Sequence, residues 1–573
     1  MKFQIGPSVV GCALALTLAA CSKPADPSTH AAAVSGASAP AAASVGSANA
    51  AFAAASLGSA GAALVAAAPV KGGIDWRHAS SDAEVEAAFV EARAAAKPVF
   101  LYWGASWCPP CNKVKATLFN RQDFIERSRA FVAVYVDGDM PGAQKVGAHF
   151  HVSGYPTMLL FSADGTELTR LPGEVEPVRY SEVLTLAMNA GRPVKAMLAD
   201  ALAGGRGLGT NDWRLLAFYS WDSDEQQLVP KGEVPATLKR LAAACPAAEV
   251  DSATRLWLRS LAALDAKGTT AAAPAALERV IGVLADEKAA RAQFDVLADY
   301  APEITRALSA RGTPARAGLV ERYDWALARF EGDATLARID RLGALIARVG
   351  LARIEVPTAD VAAVRSTPAP RPRLAPELLA DVREQVARID RETTDGYERQ
   401  VVVNSAAYLL VQAGLMENSD ALLKANLATS PSPYYLMTGL AENAASRGDR
   451  TDALRWHREA YATSEGPATR LQWGARYIVA MTKLAPGDEA QIGRTVAQFL
   501  AEAAAQPNAF YERSAASVRR VGKALRAWNQ GGAHAGALRR FETQLGAICK
   551  RFDGADAQRQ TCRNALKAEP KAA

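Results

Sequence analysis

Apolar positions change their spacing several times between residues 74 and 196, and each change indicates a new element. A helical spacing over SDAEVEAAFVEARAAA gives way to the β-branched and aromatic run Lys97–Trp103, which predicts a buried strand. A helical pattern then runs to about Ser128, and Ala130–Asp139 predicts a second strand. This part of the chain therefore alternates helices and strands.

The alternation continues to the end of this segment. Its remaining elements are a short helix in PGAQKVGAHF, a third strand in PTMLLFS, a turn at ADG, a fourth strand in TELTRLPG and a closing helix in PVRYSEVLTLAMNA. The short turn between the third and fourth strands is typical of a β-hairpin. Together these elements predict an α/β domain over residues 74–196, built from a mixed sheet flanked by helices.

The second part of the chain shows a different pattern. Strand signals largely disappear, and apolar positions recur at helical spacing to the end of the sequence. We therefore expect residues 197–573 to be all-α, with a candidate break at the proline-rich segment 366–376. Two similar triplets, Asp420-Ala421-Leu422 and Asp452-Ala453-Leu454, lie 32 residues apart (453 − 421 = 32). No catalytic motif stands out in this half.

The spacing of the triplets is close to the ~34 residues of a tetratricopeptide unit, so this half resembles tetratricopeptide repeats over about two units. The resemblance implies a concave surface that selects a protein partner. Tyr434, Tyr435 and Trp456 fit contacts between helices of such an array. The alternative interpretation is a helical bundle with no binding role.

The start of the chain has an apolar run, from about Val9 to Ala20, after a short basic beginning. The run is too short to span a membrane and is typical of an export signal, here residues 1–20. Its end, Leu18-Ala19-Ala20-Cys21, resembles the lipobox of bacterial lipoproteins. That resemblance implies a lipidated Cys21 and, because Ser22 follows, sorting to the outer membrane. The alternative is an ordinary secretory signal cut nearby, which leaves a soluble periplasmic protein.

Composition limits the other possibilities. Residues 21–73 are mostly Ala, Ser and Gly with scattered Pro, which predicts a flexible tether that holds the rest of the protein away from a lipid surface. The net charge of +6 is spread without a basic cluster, which argues against a nucleic-acid partner. We therefore expect a protein of the cell envelope that faces the periplasm and is anchored by lipid.

The chain contains seven cysteines, of which Cys12 lies within the export signal. Five would remain besides the lipidated one: Cys108, Cys111, Cys245, Cys549 and Cys562. Cys549 and Cys562 lie on two helical segments joined by a short turn, and an oxidising compartment favours a structural disulfide between them. Cys245 has no partner in the sequence, and we interpret it as a small buried apolar residue.

Cys108 and Cys111 are two residues apart in the run Trp107-Cys108-Pro109-Pro110-Cys111, where a strand gives way to a helix. Such a pair can form half of a metal site, brace the fold, or exchange disulfides. No second pair of this kind occurs in the sequence. His149 and His151 are the only local candidates for metal ligands, and we interpret both as surface residues, on a helix end and a strand start. We therefore predict no metal site.

Residues 74–196 resemble the thioredoxin fold, and in particular the thioredoxin-like proteins exported to the bacterial periplasm. Trp107–Cys111 is similar to the WCxxC active-site motif, and Gly154-Tyr155-Pro156-Thr157 is similar to the loop whose proline is cis in that family. The hairpin and closing helix follow at the expected distance. The resemblance implies a redox-active disulfide with no other cofactor. It also implies protein substrates that carry disulfides, and an electron-donor protein.

The position of Cys108 at the start of a helix suits a nucleophile. Free backbone amides and the helix dipole stabilise a thiolate there, so Cys108 should be ionised, reachable and ready to attack a partner disulfide. Cys111, one turn later, would resolve the mixed disulfide. Pro109 removes an amide that could otherwise hold the thiolate. By the resemblance, cis Pro156 should face the cysteine pair and present an extended edge to the substrate.

One residue departs from the family pattern. Thioredoxins carry a buried Asp six residues before the first cysteine, where this chain has Tyr102. A phenol with a pKa near 10 is a poor base at neutral pH. We therefore expect proton transfer from Cys111 to use water or a group supplied by a partner.

Both residues between the cysteines are proline, whereas strongly oxidising and isomerising family members usually carry His there. This favours reduction of protein disulfides over isomerisation or oxidation. The alternative from another functional class is an envelope scaffold, in which the helical half performs the main function and the cysteine pair only senses or locks a redox state.

Overall fold

A computed structural model describes residues 72–173, 175–224, 227–264, 274–356 and 374–567. The predicted export signal, Cys21, the tether up to residue 71 and most of the candidate break at 366–376 lie outside the described residues. Among the described residues, no helix is both long and apolar enough to cross a bilayer.

Five strands form one sheet in the order β1-β3-β2-β4-β5. The strands are β1 (Trp76–Ala79), β2 (Val99–Gly104), β3 (Val132–Asp137), β4 (Thr157–Phe161) and β5 (Glu167–Leu171). β3 pairs in parallel with β1 and β2, whereas β4 pairs antiparallel with β2 and β5. Four of these strands were predicted. β1 was not predicted, because its segment, WRHA, is too short and too polar to give a strand signal.

Helices cover both faces of the sheet. They are α1 (Asp82–Ala95), α2 (Pro109–Val114), α3 (Gln122–Arg127), α4 (Ala143–His149) and α5 (Pro177–Met188). The helical pattern that the sequence shows up to Ser128 is not one helix. After α2 the chain makes a π-helical turn, and the extended backbone of Arg121 then separates it from α3. Phe119 and Phe124 on the two sides of this break are both buried, which explains why the apolar spacing continues through it.

The rest of the described chain is helical and contains no further strand. Its helices are α6 (Val194–Leu202), α7 (Thr210–Ala217), α8 (Val234–Ala244), α9 (Val250–Ala262), α10 (Pro274–Ala285), α11 (Glu287–Ala292), α12 (Phe294–Asp299), α13 (Ala301–Leu308), α14 (Pro314–Gly332), α15 (Arg338–Ala352), α16 (Pro376–Glu392), α17 (Gly396–Gln412), α18 (Met416–Asn426), α19 (Pro433–Arg447), α20 (Arg450–Thr463), α21 (Pro467–Leu484), α22 (Glu489–Ala504), α23 (Glu512–Trp528), α24 (Ala535–Cys549) and α25 (Ala557–Asn564). The predicted fold class, an α/β domain followed by a large helical region, is confirmed.

The middle of this region repeats a pair of packed helices. α19 and α21 begin 34 residues apart (467 − 433 = 34), and so do α18 and α20 (450 − 416 = 34). Consecutive helices pack on each other, α17 on α18 and α19 on α20. This spacing is that of a tetratricopeptide unit. The assignment to that family stays a prediction.

The hydrophobic core does not divide where the sequence pattern changes. One face of the sheet, with Phe100 and Leu160, packs into the same buried cluster as α5, and this cluster continues through Leu198 of α6 and Trp213 of α7 to Leu256 of α9. The other face packs against α1 and α4. The sheet and the first helices of the helical region therefore share one core.

Arg348 on α15 holds three carboxylates together. Its guanidinium donates to Asp324 at 2.8 Å, to Glu331 at 3.1 Å and to Asp381 at 3.2 Å. Glu331 is the most buried of the three, with a side chain 10% exposed. Burial raises the pKa of Glu331 to about 7, although Arg348 pulls it down.

We expect Glu331→Gln to stabilise the protein above pH 7. Because the pKa of Glu331 is raised in the folded state, the folded protein holds this proton more tightly than the unfolded chain between about pH 4.5 and 7. The Glu331 carboxyl therefore stabilises the folded protein below about pH 4.5, and this stabilisation is lost as the pH rises through 7. Urea unfolding at pH 4 to 8 should show a variant that matches the wild type at pH 4 and exceeds it by roughly 1–3 kcal/mol at pH 8.

The exposed Glu384 on α16 supplies the control for this prediction. Glu384→Gln removes a solvent-exposed carboxylate and should not raise the unfolding free energy at pH 8 as Glu331→Gln does. Parallel curves for Glu331→Gln and the wild type across this range would contradict the assignment.

Candidate active site

The cysteine pair lies where β2 ends and α2 begins. Cys108 is the N-cap residue of α2, and its Sγ accepts a hydrogen bond from the backbone N–H of Cys111 at 3.3 Å. Pro109 and Pro110 occupy the first positions of the helix, so neither offers an N–H to that sulfur. Cys108 and Cys111 are joined in a disulfide, with 5.2 Å between their Cα atoms.

The loop before β4 faces this disulfide. The Tyr155–Pro156 peptide bond is cis, as the resemblance implied. The carbonyl oxygen of Tyr155 lies 3.7 Å from Cys108 Sγ. Thr157 is buried, begins β4 and donates its hydroxyl to the Gly154 carbonyl at 2.9 Å. The cysteine motif after β2 and the cis-proline loop before β4 meet because these two strands are neighbours in the sheet.

Trp107 connects the cysteine loop to the end of β3. Its indole N–H donates to the carboxylate of Asp139, two residues beyond that strand. Burial raises the pKa of Asp139, and the hydrogen bonds from Trp107 and Thr469 oppose this shift. Asp139 was not among the predicted site residues. Its position in the sequence could have indicated it. Asp139 follows β3 as the cysteine loop follows β2, and the carboxyl ends of these parallel strands lie at the same edge of the sheet.

The helical region covers the cysteine pair. Cys108 is 3% exposed and Cys111 is fully buried. Both belong to one buried cluster with Tyr434, Trp473 and Phe510 from the helical region. The expectation that Cys108 is reachable is therefore wrong for this structure, because helices distant in sequence pack over the cysteine pair.

Polar and aromatic side chains of the helical region contact Trp107 directly. Gln400 on α17 donates to the Trp107 carbonyl at 2.9 Å and accepts from the amide of Asn112. The ring of Tyr435 on α19 stacks on Trp107 at 6.0 Å between ring centres. The Arg513 guanidinium lies 4.6 Å from the centre of the Trp107 ring. No sequence motif marks these residues, because each lies on an ordinary helix.

Tyr102, at the position of the family's buried Asp, cannot replace that base. Its side chain is buried in the sheet core and stacks on Tyr135 at 5.3 Å, and its hydroxyl has no hydrogen-bond partner. Burial raises its pKa well above the ordinary value. The phenol therefore stays protonated at neutral pH, as the sequence analysis expected.

The two candidate ligand histidines are exposed. His149 ends α4, with Nδ1 3.5 Å from a carboxylate oxygen of Asp82. His151 lies in a turn with φ 51°, and not at the start of a strand, because β4 begins only at Thr157. Among the described residues, no three His, Cys, Asp or Glu side chains lie close enough together to bind a metal ion.

Three further cysteines lie in the described part of the chain. Cys549 at the end of α24 and Cys562 in α25 form a disulfide between the two helices. Cys245 is buried and has no disulfide partner. Burial raises the pKa of the Cys245 thiol to about 11.

Residues 85–187 match a family model described as a thioredoxin-like domain. The thiol:disulfide interchange protein DsbD 1 of Pseudomonas aeruginosa is 28% identical over 117 residues, which cover 20% of each chain. The thiol:disulfide interchange protein DsbD of Klebsiella pneumoniae is 31% identical over 106 residues, or 18% of this chain and 17% of that protein. The chain thus spans about a fifth of the length of these relatives.

Two solved structures each align with 20% of this chain. Thioredoxin O2 from Arabidopsis thaliana, in the oxidised state, is 23% identical, with a TM-score of 0.18. The alignment covers 20% of this chain and 96% of that thioredoxin. Thioredoxin O1 from the same plant is 20% identical, with a TM-score of 0.16 and the same coverage.

Proposed function

Because residues 76–190 form a thioredoxin-like domain, we propose that this protein exchanges disulfides with protein substrates through Cys108 and Cys111. The observation that carries the proposal is the placement of this pair. Cys108 caps a helix, Cys111 follows one turn later, and the cis Tyr155–Pro156 loop lies against the first sulfur. A helix start favours the thiolate that attacks a disulfide.

The exchange proceeds in two steps. The Cys108 thiolate attacks one sulfur of a substrate disulfide, forms a mixed disulfide and releases the other substrate sulfur as a thiolate. Cys111 then loses its proton and attacks Cys108 Sγ, which releases the second substrate thiolate. The substrate gains two electrons, and the Cys108–Cys111 disulfide that remains must be reduced again by a donor dithiol protein.

Reduction is the direction that we propose. Pro109 and Pro110 remove two of the backbone N–H groups that could stabilise a thiolate at Cys108, and the N–H of Cys111 is the donor to this sulfur. A less stabilised thiolate makes the dithiol a better reductant. Isomerisation is the less favoured alternative.

We place this activity in the cell envelope, facing the periplasm. The apolar start of the chain and the lipobox resemblance at Cys21 support export and a lipid anchor, with the outer membrane favoured. The two curated relatives are named as thiol:disulfide interchange proteins, which supports exchange with protein partners.

A second function is favoured by one observation. Cys108 and Cys111 are buried in the same cluster as residues of the helical region, so opening their disulfide would disturb that packing. Under this alternative, the protein is a scaffold whose helical region binds a partner, and the cysteine pair locks or senses a redox state.

A redox titration distinguishes the two functions. The full-length protein is brought to equilibrium in glutathione buffers, thiols are trapped with a maleimide, and the labelled cysteines are identified by mass spectrometry. We expect Cys108 and Cys111 to open and close reversibly, while Cys549 and Cys562 stay paired as an internal control. The reduced protein should then transfer its electrons to insulin. A pair that opens without reducing insulin supports the scaffold, and a pair that never opens excludes both functions.

A further inference from the structure

We propose that four helices of the helical region form a cover that occupies the substrate-binding face around Cys108 and must move away before exchange. The cover consists of α17, α19, α21 and α23, which contact this face through Gln400, Tyr435, Thr469 and Arg513. This inference rests on the proposed function and adds its regulation: the chain inhibits its own active site until a protein substrate displaces the cover.

Burial of the sulfur requires such a movement. Thiol–disulfide exchange needs direct attack of a thiolate on sulfur, so Cys108 Sγ must meet the sulfur of its partner. With Cys108 3% exposed and Cys111 fully buried, a protein disulfide has no approach in this structure. Either the cysteines do not react, or the helices above them move.

The thioredoxin-like domain holds the first of these helix ends. α21 begins after Gly466, which has no side chain to cap it. The carboxylate of Asp139 takes this role, because it accepts hydrogen bonds from the Thr469 backbone N–H at 2.8 Å and from the Thr469 hydroxyl. A Cβ on Gly466 would lie 2.7 Å from Asp139 Cγ, so glycine permits the close approach. The same carboxylate accepts from Trp107 beside Cys108.

A second helix end is held in the same way. α23 has no side-chain cap of its own. Gln144 of α4 supplies one, since its side-chain oxygen accepts from the Arg513 backbone N–H at 3.0 Å. The Arg513 guanidinium lies 4.9 Å from the centre of the Tyr155 ring, next to the cis-proline loop. Asp139 also bonds to Trp107 in the cysteine loop, and Gln144 donates to the Tyr155 hydroxyl at 2.7 Å, so the two caps join the cover to both loops of the candidate site.

Gln400 occupies a position that suits a substrate backbone. Its carboxamide carries the same donor and acceptor as a peptide group. It donates to the Trp107 carbonyl at 2.9 Å and accepts from Asn112, so it satisfies both groups within the buried interface. An extended segment of a protein substrate offers the same pair of hydrogen bonds. The partner that displaces the cover is therefore a protein disulfide in an extended segment.

The cover can open without unfolding the domain beneath it. Water can replace the hydrogen bonds of Gln400, Thr469 and Arg513 when the faces separate, so opening costs mainly the apolar contacts of the buried cluster around the cysteine pair. The sheet core lies in other buried clusters, which do not contain the two cysteines.

Alkylation of Cys108 tests the cover in the full-length protein. After reduction, the rate of labelling by N-ethylmaleimide is measured at several pH values, so that access is separated from the thiolate fraction, and is compared with the rate in urea. We expect the folded wild type to react at least about tenfold more slowly than the unfolded chain, and Gln400→Leu and Thr469→Val each to accelerate labelling by about fivefold.

Matched variants control for unrelated effects. Gln122→Leu on α3 and Thr543→Val on α24 change exposed residues away from the cover and should label at the wild-type rate. The hydrogen-exchange rates of the Thr469 and Arg513 backbone amides measure opening of the cover in the wild type, without a variant. Both amides should be protected in the oxidised protein and exchange faster when a disulfide peptide is added to the reduced protein.

Two results would overturn the cover. One is a folded wild type whose Cys108 is labelled as fast as the unfolded chain, and the other is a wild-type rate in both cover variants. If both cover variants accelerate labelling and none of the proteins reduces insulin, the cover is supported and the proposed function fails.

Discussion

Cys108→Ser will abolish disulfide reduction by this protein, with a fall in turnover on the order of a thousandfold or more, because a serine hydroxyl is not ionised near neutral pH and forms no mixed disulfide. The helix start that stabilises a thiolate at position 108 cannot compensate for the loss of sulfur. Reduction of insulin with dithiothreitol as donor measures the effect.

Cys111→Ala will stop the same reaction one step later. Cys108 can still attack the substrate, but the residue one helical turn away no longer resolves the mixed disulfide. The variant should therefore accumulate as a covalent complex with its substrate, which non-reducing electrophoresis detects and dithiothreitol releases.

Cys245→Ala is the control for both variants. Cys245 is buried away from the active site and has no disulfide, so its replacement should keep the wild-type turnover. Normal insulin reduction by Cys108→Ser would contradict the proposed function, and a Cys111→Ala variant that turns over without a trapped complex would assign the resolving role elsewhere.

Loss of the second disulfide should destabilise the end of the helical region. Cys549 and Cys562 are separated by 13 residues, and a loop of this size is stabilised by its cross-link by roughly 3 kcal/mol. The disulfide holds α25 to α24, and the chain just after α25 lies against α23. There the carbonyl of Ala565 approaches so closely that a Cβ on Gly522 would lie 1.9 Å from it.

The double variant Cys549→Ala with Cys562→Ala measures this contribution. Its free energy of urea unfolding should fall by about 3 kcal/mol, or by less if the end of the chain unfolds separately. Dithiothreitol should lower the stability of the wild type towards that of the variant and leave the variant nearly unchanged. An unfolding curve identical to that of the wild type would show that helix packing alone holds α25.

Local sequence patterns predicted the elements that position the active site. The period-two and β-branched runs located β2, β3, β4 and β5, because side chains of a buried strand must be apolar over several residues. β1 was missed because its four residues, of which only Ala79 is buried, carry no such pattern. The break between α2 and α3 was missed for the opposite reason, since the apolar spacing continues across a π-helical turn.

The sequence alone determined which chemistry the cysteine pair can support. Two cysteines separated by one helical turn at a strand-to-helix junction can reach each other by local geometry, and the prolines between them remove amide donors by their covalent structure. Only the tertiary structure decided whether that chemistry is accessible. Gln400 lies 288 residues from Asn112, and Thr469 lies 330 residues from Asp139. Polar side chains on a helix surface look alike in sequence whether they face water or another domain, so no local pattern could show that these helices close over Cys108.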